Sequence, residues 1–200
     1  NVFIPSHRYI TAPSRKLKEG RMQEFHIAVI PGDGIGIEIM GSCLKVLDAL
    51  EQKHGGFRLI KTNIEAGAKY FKKTGVDITD EAFRKTGEAD AILLGAIGLP
   101  AIRHKDGTEI APHLRMRTAY NLIAGLRPVK AFPNTPIPLK DERAQDIDLV
   151  IVRESTEGLF ASLGKGTIEH DAVARETLEI TRTVCEPLFD QTFSLARRRK

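Results

Sequence analysis

The stretch HIAVIPGDGIG, residues 26–36, decides how this chain folds. HIAVIP (26–31) is an apolar, β-branched run of strand length, and a glycine turn follows it at once. Ile35, Ile39, Cys43, Val46, Leu47 and Leu50 then recur at helical spacing until Gly55-Gly56 halts the pattern. Strand, glycine turn and helix in that order open a βαβ unit. Glycine permits a tight turn and close backbone approach, and the N-terminus of the following helix suits a phosphate or carboxylate. The same glycines serve any strand-to-helix turn, however, and GDGIG is not the GxGxxG dinucleotide fingerprint.

Outward from this unit the alternation continues. FRLIKTNI (57–64) alternates as a strand, EAGAKYFKKTG (65–75) reads as a short helix ending at Gly75, and Thr79 or Asp80 can cap a helix to about Glu88. AILLGAIGLP (91–100) has the form of a buried parallel strand delivering its carboxyl end to a site. A short helix is expected from His113 to Tyr120. NLIAGLRPVKAF (121–132) is extended, with Pro128 breaking it or placing it at an edge, and IDLVIVREST (147–156) is a further strand. GLFASLGKG (158–166) reads as a loop or arm and TLEI (177–180) as a short strand. The last helix opens at Thr181 or Thr183, and Pro187 fits only in or near its first turn. The fold class is therefore α/β: a parallel-sheet first domain over 26–125 and the start of a second α/β domain over 126–200.

Composition narrows the function classes. With 42% hydrophobic and 28% charged residues the 200-residue chain has the balance of a soluble globular protein. No apolar run approaches membrane-spanning length, so no membrane partner is expected and the cytoplasm is the expected compartment. Cys43 and Cys185 offer neither a disulfide framework nor a metal-ligand spacing. The net charge of +4 invites a nucleic-acid reading, but its location argues against one. Arg8, Arg15, Lys16, Lys18 and Arg21 stand against Glu19 at one end and Arg197–Lys200 form the other, so the body between them is net acidic. Residues 1–25 read as a disordered leader, basic and without periodicity. Its origin is a transit peptide or a translation start placed too far upstream, with Met22 the true start; purine-rich codons for Lys18–Arg21 favour the second.

Three arginines carry the chemistry. Arg117 and Arg127 lie ten residues apart, and Arg153 sits within the apolar run VIVREST. Each guanidinium is a permanently charged, planar fork of donors suited to bidentate capture of a carboxylate. Three of them in one cleft would hold a small molecule bearing several carboxylates. An unpaired Arg153 in apolar surroundings would be costly, so that residue is expected to face a polar cleft. The plainer alternative is three solvated arginines paired with nearby acids.

IPGDGIGIEI (30–39), ADAILLGAIGLP (89–100), Arg117 with NLIAGLRPVK (121–130), and DLVIVRESTEGLF (148–160) follow one another in order. Together they resemble the β-decarboxylating dehydrogenases: the isopropylmalate, isocitrate, homoisocitrate and tartrate/D-malate enzymes. The resemblance covers roughly residues 26–200. It implies nicotinamide-dependent oxidation (NAD, with NADP the alternative) of a small 2-hydroxy dicarboxylic acid, followed by decarboxylation assisted by Mg2+ or Mn2+, in a homodimer. It also implies the substrate-carboxylate role for Arg117, Arg127 and Arg153. Gly34 and Ile35 match the wall beside the nicotinamide end of the cofactor, and Ala96, Ile97, Gly98 and Leu99 another part of that rim. Isopropylmalate members are apolar four residues before the helix arginine, where this chain has His113, with Arg115 two residues on. A polar γ-substituent is therefore expected in place of isopropyl, unless His113 and Arg115 face solvent.

Two departures qualify that reading. The family's catalytic tyrosine, seven residues after the VRE arginine, donates a proton after decarboxylation; here the position is Phe160, which has no acid proton. The family's later lysine, metal-binding aspartates and adenosine-binding residues have no counterpart up to Lys200, so no metal ligand is assigned. The chain is expected to be a truncated piece, inactive as it stands. A non-catalytic regulatory subunit of the same family is the rival reading.

Overall fold

The computed structural model describes residues 2–3 and 22–199. The remainder of the expected leader, residues 1 and 4–21, lies outside the described residues. Residues 1–122 form one compact unit and residues 123–200 another.

The first unit is built on a four-stranded sheet of order β1-β4-β2-β3. The strands are β1 (Val2–Phe3), β2 (Gln23–Gly32), β3 (Phe57–Asn63) and β4 (Ala91–Ala96). β2 lies parallel to both β3 and β4, with Val29 opposite Leu93, while β1 runs antiparallel to β4. β2 starts three residues before the apolar run, because Gln23–Phe25 continue the ladder with β3. Central position explains the unbroken apolar character of β2 and β4. Ala28, Ile30, Ile92 and Leu94 face one core cluster, and Val29 and Leu93 face another. Burying a side chain such as Ile30 or Ile92, each about 1% exposed or less, contributes roughly 1.5–3 kcal/mol.

Helix α1 (Ile35–His54) covers the Val29 face through Met40, Cys43, Leu44 and Leu47. α2 (Ala68–Thr74) ends at Gly75 in the left-handed conformation. α3 (Asp80–Glu88) is capped by Thr79, whose side chain accepts from the Ala82 N–H. Its Ala82 and Phe83 join the other core cluster, as do Met116 of α4 (Pro112–Ala119) and the following Tyr120. The Tyr120 hydroxyl donates to the Phe83 carbonyl at 2.5 Å.

In the second unit β5 (Ala124–Lys130) and β6 (Asp148–Glu154) form a two-stranded antiparallel ribbon. Pro128 is tolerated there, opposite Val150, because the ribbon has no third strand among the described residues. Two expectations are corrected. TLEI (177–180) forms no strand and is exposed throughout; instead β7 (Thr167–Glu169) and β8 (Val173–Arg175) make a small hairpin. The presumed loop 158–166 contains a single helical turn, α5 (Leu159–Ser162). α6 (Arg182–Arg198) starts after Thr181, whose hydroxyl makes no cap bond and donates to Glu157. Pro187 falls beyond its first turn, where its ring removes one helical hydrogen bond.

Candidate functional site

β2 connects through α1 to β3, and β3 connects through α2 and α3 to β4 on the other side of β2. This reversal opens a crevice beyond the carboxyl ends of β2 and β4, the position where open α/β sheets bind ligands. The glycine turn fills it with backbone. A Cβ on Gly32 (φ +74) would stand 2.0 Å from the Ala96 carbonyl oxygen, and one on Gly36 would stand 2.3 Å from the Pro31 oxygen and 2.6 Å from the Ala96 nitrogen. Gly95 meets the Pro31 oxygen at 2.3 Å in the same way. These glycines let the first turn of α1 approach the ends of the parallel strands β2 and β4 closely. Gly34 (φ +53) differs, since its nearest neighbour would be Leu99 Cδ2 at 3.8 Å, leaving its surface open.

Between the glycines lies Asp33, 2% exposed. Its own N–H donates to the Ala96 carbonyl at 2.6 Å. Its carboxylate accepts from the Ala68 N–H at 2.7 Å, the Lys69 N–H at 2.8 Å and the Gly98 N–H at 2.9 Å. One side chain thus ties the turn, the start of α2 and the loop after β4 together. Sequence reasoning missed it; an acid between two glycines after a strand was the available signal.

The six residues of the expected cofactor rim meet around this clamp. Ile35 is 58% exposed on the first turn of α1. Ala96 spends its carbonyl on Asp33, Ile97 packs against the core, and Gly98 adopts φ +109. Leu99 pairs with Ile102 in an isolated bridge. Arg103 staples the following loop by donating to the Pro100 and Gly107 carbonyls and to Glu109 at 3.1–3.3 Å. Gly34 and Gly98 both present open faces, and the Ile35 side chain is exposed.

On α4, His113 and Arg117 are four residues apart and interact. Burial first, then the charge of Arg117, holds the His113 imidazole below its ordinary pKa; Glu109 opposes them. The ring's Nδ1 is buried with no hydrogen-bond partner among the described residues. Arg115 points elsewhere, its Cζ lying 4.4 Å from the centre of the Phe83 ring. It therefore belongs to the aromatic cluster of Phe83 and Tyr120, where burial pushes the tyrosine pKa up to about 12.

Arg117 belongs to the first unit, and Arg127 and Arg153 to the second. The ribbon register places Arg127 opposite Ile151 and Arg153 opposite Gly125. Opposed residues share a face, so Arg127 and Arg153 project from the same side as diagonal neighbours. Among the described residues neither forms an ion pair. Both are exposed, as are all residues from Leu126 to Lys130 on β5, because both faces of the ribbon are largely uncovered among the described residues; the anticipated apolar surroundings of Arg153 are absent. Its guanidinium lies over Phe160, with Cζ 5.1 Å from the ring centre. A cation over an aromatic face gains about 0.5–1 kcal/mol at exposed sites.

The turn between them is held by acids. Glu154 accepts from Thr156 and the Glu157 N–H; burial would raise its pKa, but these hydrogen bonds hold it below the ordinary value. Glu157 accepts from the Thr181 N–H and hydroxyl, both at 2.7 Å, fixing the turn to the start of α6. Among the described residues no three His, Cys, Asp or Glu side chains gather as metal ligands.

Known proteins share this arrangement. The 3-isopropylmalate dehydrogenase of Thermobifida fusca (strain YX) is 37% identical over 177 residues, covering 86% of this chain and 49% of that protein. The decarboxylating D-malate dehydrogenase of Escherichia coli (strain K12) is 35% identical over 183 residues, covering 89% and 50%. The chain thus spans about half the length of these curated relatives. In three dimensions it is similar to the isocitrate dehydrogenase of Methylococcus capsulatus, with a TM-score of 0.67, 28% identity, and coverage of 87% of this chain and 48% of that one. A family model for isocitrate/isopropylmalate dehydrogenases matches residues 26–200, and the chain belongs to that family.

Proposed function

We propose that this chain forms the first half of a dehydrogenase that oxidises a small 2-hydroxy dicarboxylic acid and then decarboxylates it. The observation that carries the reading is the pair of arginine forks, Arg127 and Arg153, side by side on one face of the ribbon. Such a pair can hold carboxylate oxygens bidentately and fix the substrate's orientation. For Arg117, in the first unit, the family resemblance implies a further carboxylate contact, and for His113, one helical turn before it, a contact to the γ-substituent. A neutral imidazole donates one hydrogen bond and accepts another, which suits a hydroxyl or carboxylate and is wasted on isopropyl. Gly34, Ile35 and the segment Ala96–Leu99 line the cofactor side. NAD or NADP supplies the hydride acceptor when bound. Mg2+ or Mn2+ would be held by residues beyond those present here, and no step is assigned to it. The expected assembly is a homodimer and the expected compartment the cytoplasm.

A second reading, a regulatory subunit of the same family, is favoured by one observation. Phe160 carries no proton to donate and packs its ring beneath Arg153.

Fusion of the chain to the C-terminal half of the E. coli D-malate dehydrogenase tests both readings. Reduced cofactor and carbon dioxide are measured separately for D-malate, tartrate and isopropylmalate. kcat/KM is expected to favour malate or tartrate, and Arg153→Lys to lower it by about tenfold or more, since a point charge cannot replace the fork. Kinetics within about threefold of the parent would remove Arg153 from the site. Preference for isopropylmalate would remove His113 from substrate selection. A folded fusion that oxidises none of the three acids, yet gains activity on Phe160→Tyr, supports the regulatory reading.

A further inference from the structure

We infer that Asp33 is a positioning residue for the cofactor rim. Its carboxylate sets the spacing between Gly34–Ile35 and Ala96–Leu99. The inference rests on the reading of those residues as the nicotinamide-dinucleotide rim. Asp33 touches no expected ligand itself, being 2% exposed behind the turn. What it touches is the backbone of three segments: its own turn, residues 68–69 at the start of α2, and Gly98. The Gly98 contact at 2.9 Å spans 65 positions in sequence and is a side-chain bond between the two halves of the rim. The main-chain bond from the Asp33 N–H to the Ala96 carbonyl lies beside it.

The surroundings are shaped to seat this carboxylate. Gly67, at φ +116, packs directly against it, and a Cβ there would stand 2.5 Å from Oδ2. Three N–H donors converge on two oxygens, one of which takes two of them. Asparagine has the same size but one acceptor oxygen, and its amide nitrogen would meet a donor. With that nitrogen in the Oδ1 place the Lys69 N–H is released, and in the Oδ2 place both the Ala68 and Gly98 N–H groups are. Either way the carboxylate charge is lost and the hold on the spacing between Gly34 and Gly98 is weakened. Rim residues held by a rigid supporting contact bind without paying to order themselves.

The test uses the chain fused to the C-terminal half of the E. coli D-malate dehydrogenase, as above, with NAD+ and D-malate as separate probes and backbone amide NMR as the readout. NAD+ is expected to shift the Gly34, Ile35 and Gly98 amides. Asp33→Asn should weaken that binding by about tenfold, the effect typical of removing a group that supports a ligand-contacting residue. It should leave untouched the D-malate shifts at Arg127 and Arg153. A merely structural loss would weaken neither probe selectively, and it would lower thermal stability without this split. Gly67→Ala crowds the carboxylate without removing it, and should weaken NAD+ binding in the same direction if Asp33→Asn fails to fold. Unchanged NAD+ affinity in a folded variant overturns the positioning role alone. No NAD+ response in the parent fusion overturns the role together with the rim assignment beneath it.

Discussion

Replacing Gly36 by alanine tests how the glycine turn is built. Gly36 is the second residue of α1, so on helical propensity alone alanine would stabilise by up to about 1 kcal/mol. The added Cβ, however, would stand 2.3 Å from the Pro31 oxygen and 2.6 Å from the Ala96 nitrogen. Both are backbone atoms of adjacent strands, so no side chain can rotate out of the way and the start of α1 must lift off the sheet by roughly an ångström. Overpacking of this kind costs typically 1–3 kcal/mol, and the upper end applies where only backbone can yield. The net expectation is a loss of about 2 kcal/mol. Gly41 supplies the internal control, since it lies in the same helix with nothing within 4 Å of its Cβ position. Gly41→Ala should stabilise by about 0.5–1 kcal/mol. Urea unfolding followed by tyrosine fluorescence reports on the first unit, because the tyrosines among the described residues, Tyr70 and Tyr120, belong to it and the chain has no tryptophan. A Gly36→Ala protein within about 0.5 kcal/mol of the parent would show that α1 does not approach the strand ends as closely as described.

Two further predictions follow from local contacts. His113 has a folded-state pKa below its unfolded value, so the unfolded chain binds the extra proton first. Its contribution is complete above about pH 6.5 and is lost as pH falls from there through the folded pKa. Thermal stability should decline over that window, and His113→Gln should flatten the decline; an unchanged slope would mean the imidazole is solvated. Thr79→Ala removes the side-chain cap of α3 and should cost about 1 kcal/mol by the same urea measurement, with no cost indicating that the cap is frayed.

The βαβ opening was legible because β2 and β4 lie centrally in the sheet, which writes unbroken apolar runs into the sequence. For α1 the spacing found the helix but named its buried face only in part, since Ile35, Ile39, Val46 and Leu50 are exposed while Met40, Cys43, Leu44 and Leu47 pack on the sheet. Thr79 announced its helix for a local reason, a hydroxyl three residues before an orphan N–H. TLEI misled because alternation in four residues is short enough to arise in an exposed connection. The hairpin of β7 and β8 left no signal, since every residue in it is exposed. At the candidate site the arginines were legible as chemistry, but the reason given for Arg153 was not the right one. It emerges from a ribbon exposed on both faces among the described residues, whereas a buried strand was assumed. Asp33 escaped notice because its partners are backbone N–H groups 35, 36 and 65 positions away, which no local pattern encodes.

The shared face of Arg127 and Arg153 bears on how such a chain can change over generations. Their pairing depends on strand parity alone, so insertions or deletions in the 131–147 connection leave it intact, and that connection is free to vary in length. A single-residue deletion between Gly125 and Arg127, or between Ile151 and Arg153, would turn one guanidinium to the opposite side of the ribbon. A two-residue change would restore the side while moving the fork by about 7 Å. Lineages that diversify their substrates should accordingly carry length differences in the connection and almost none within the two strands.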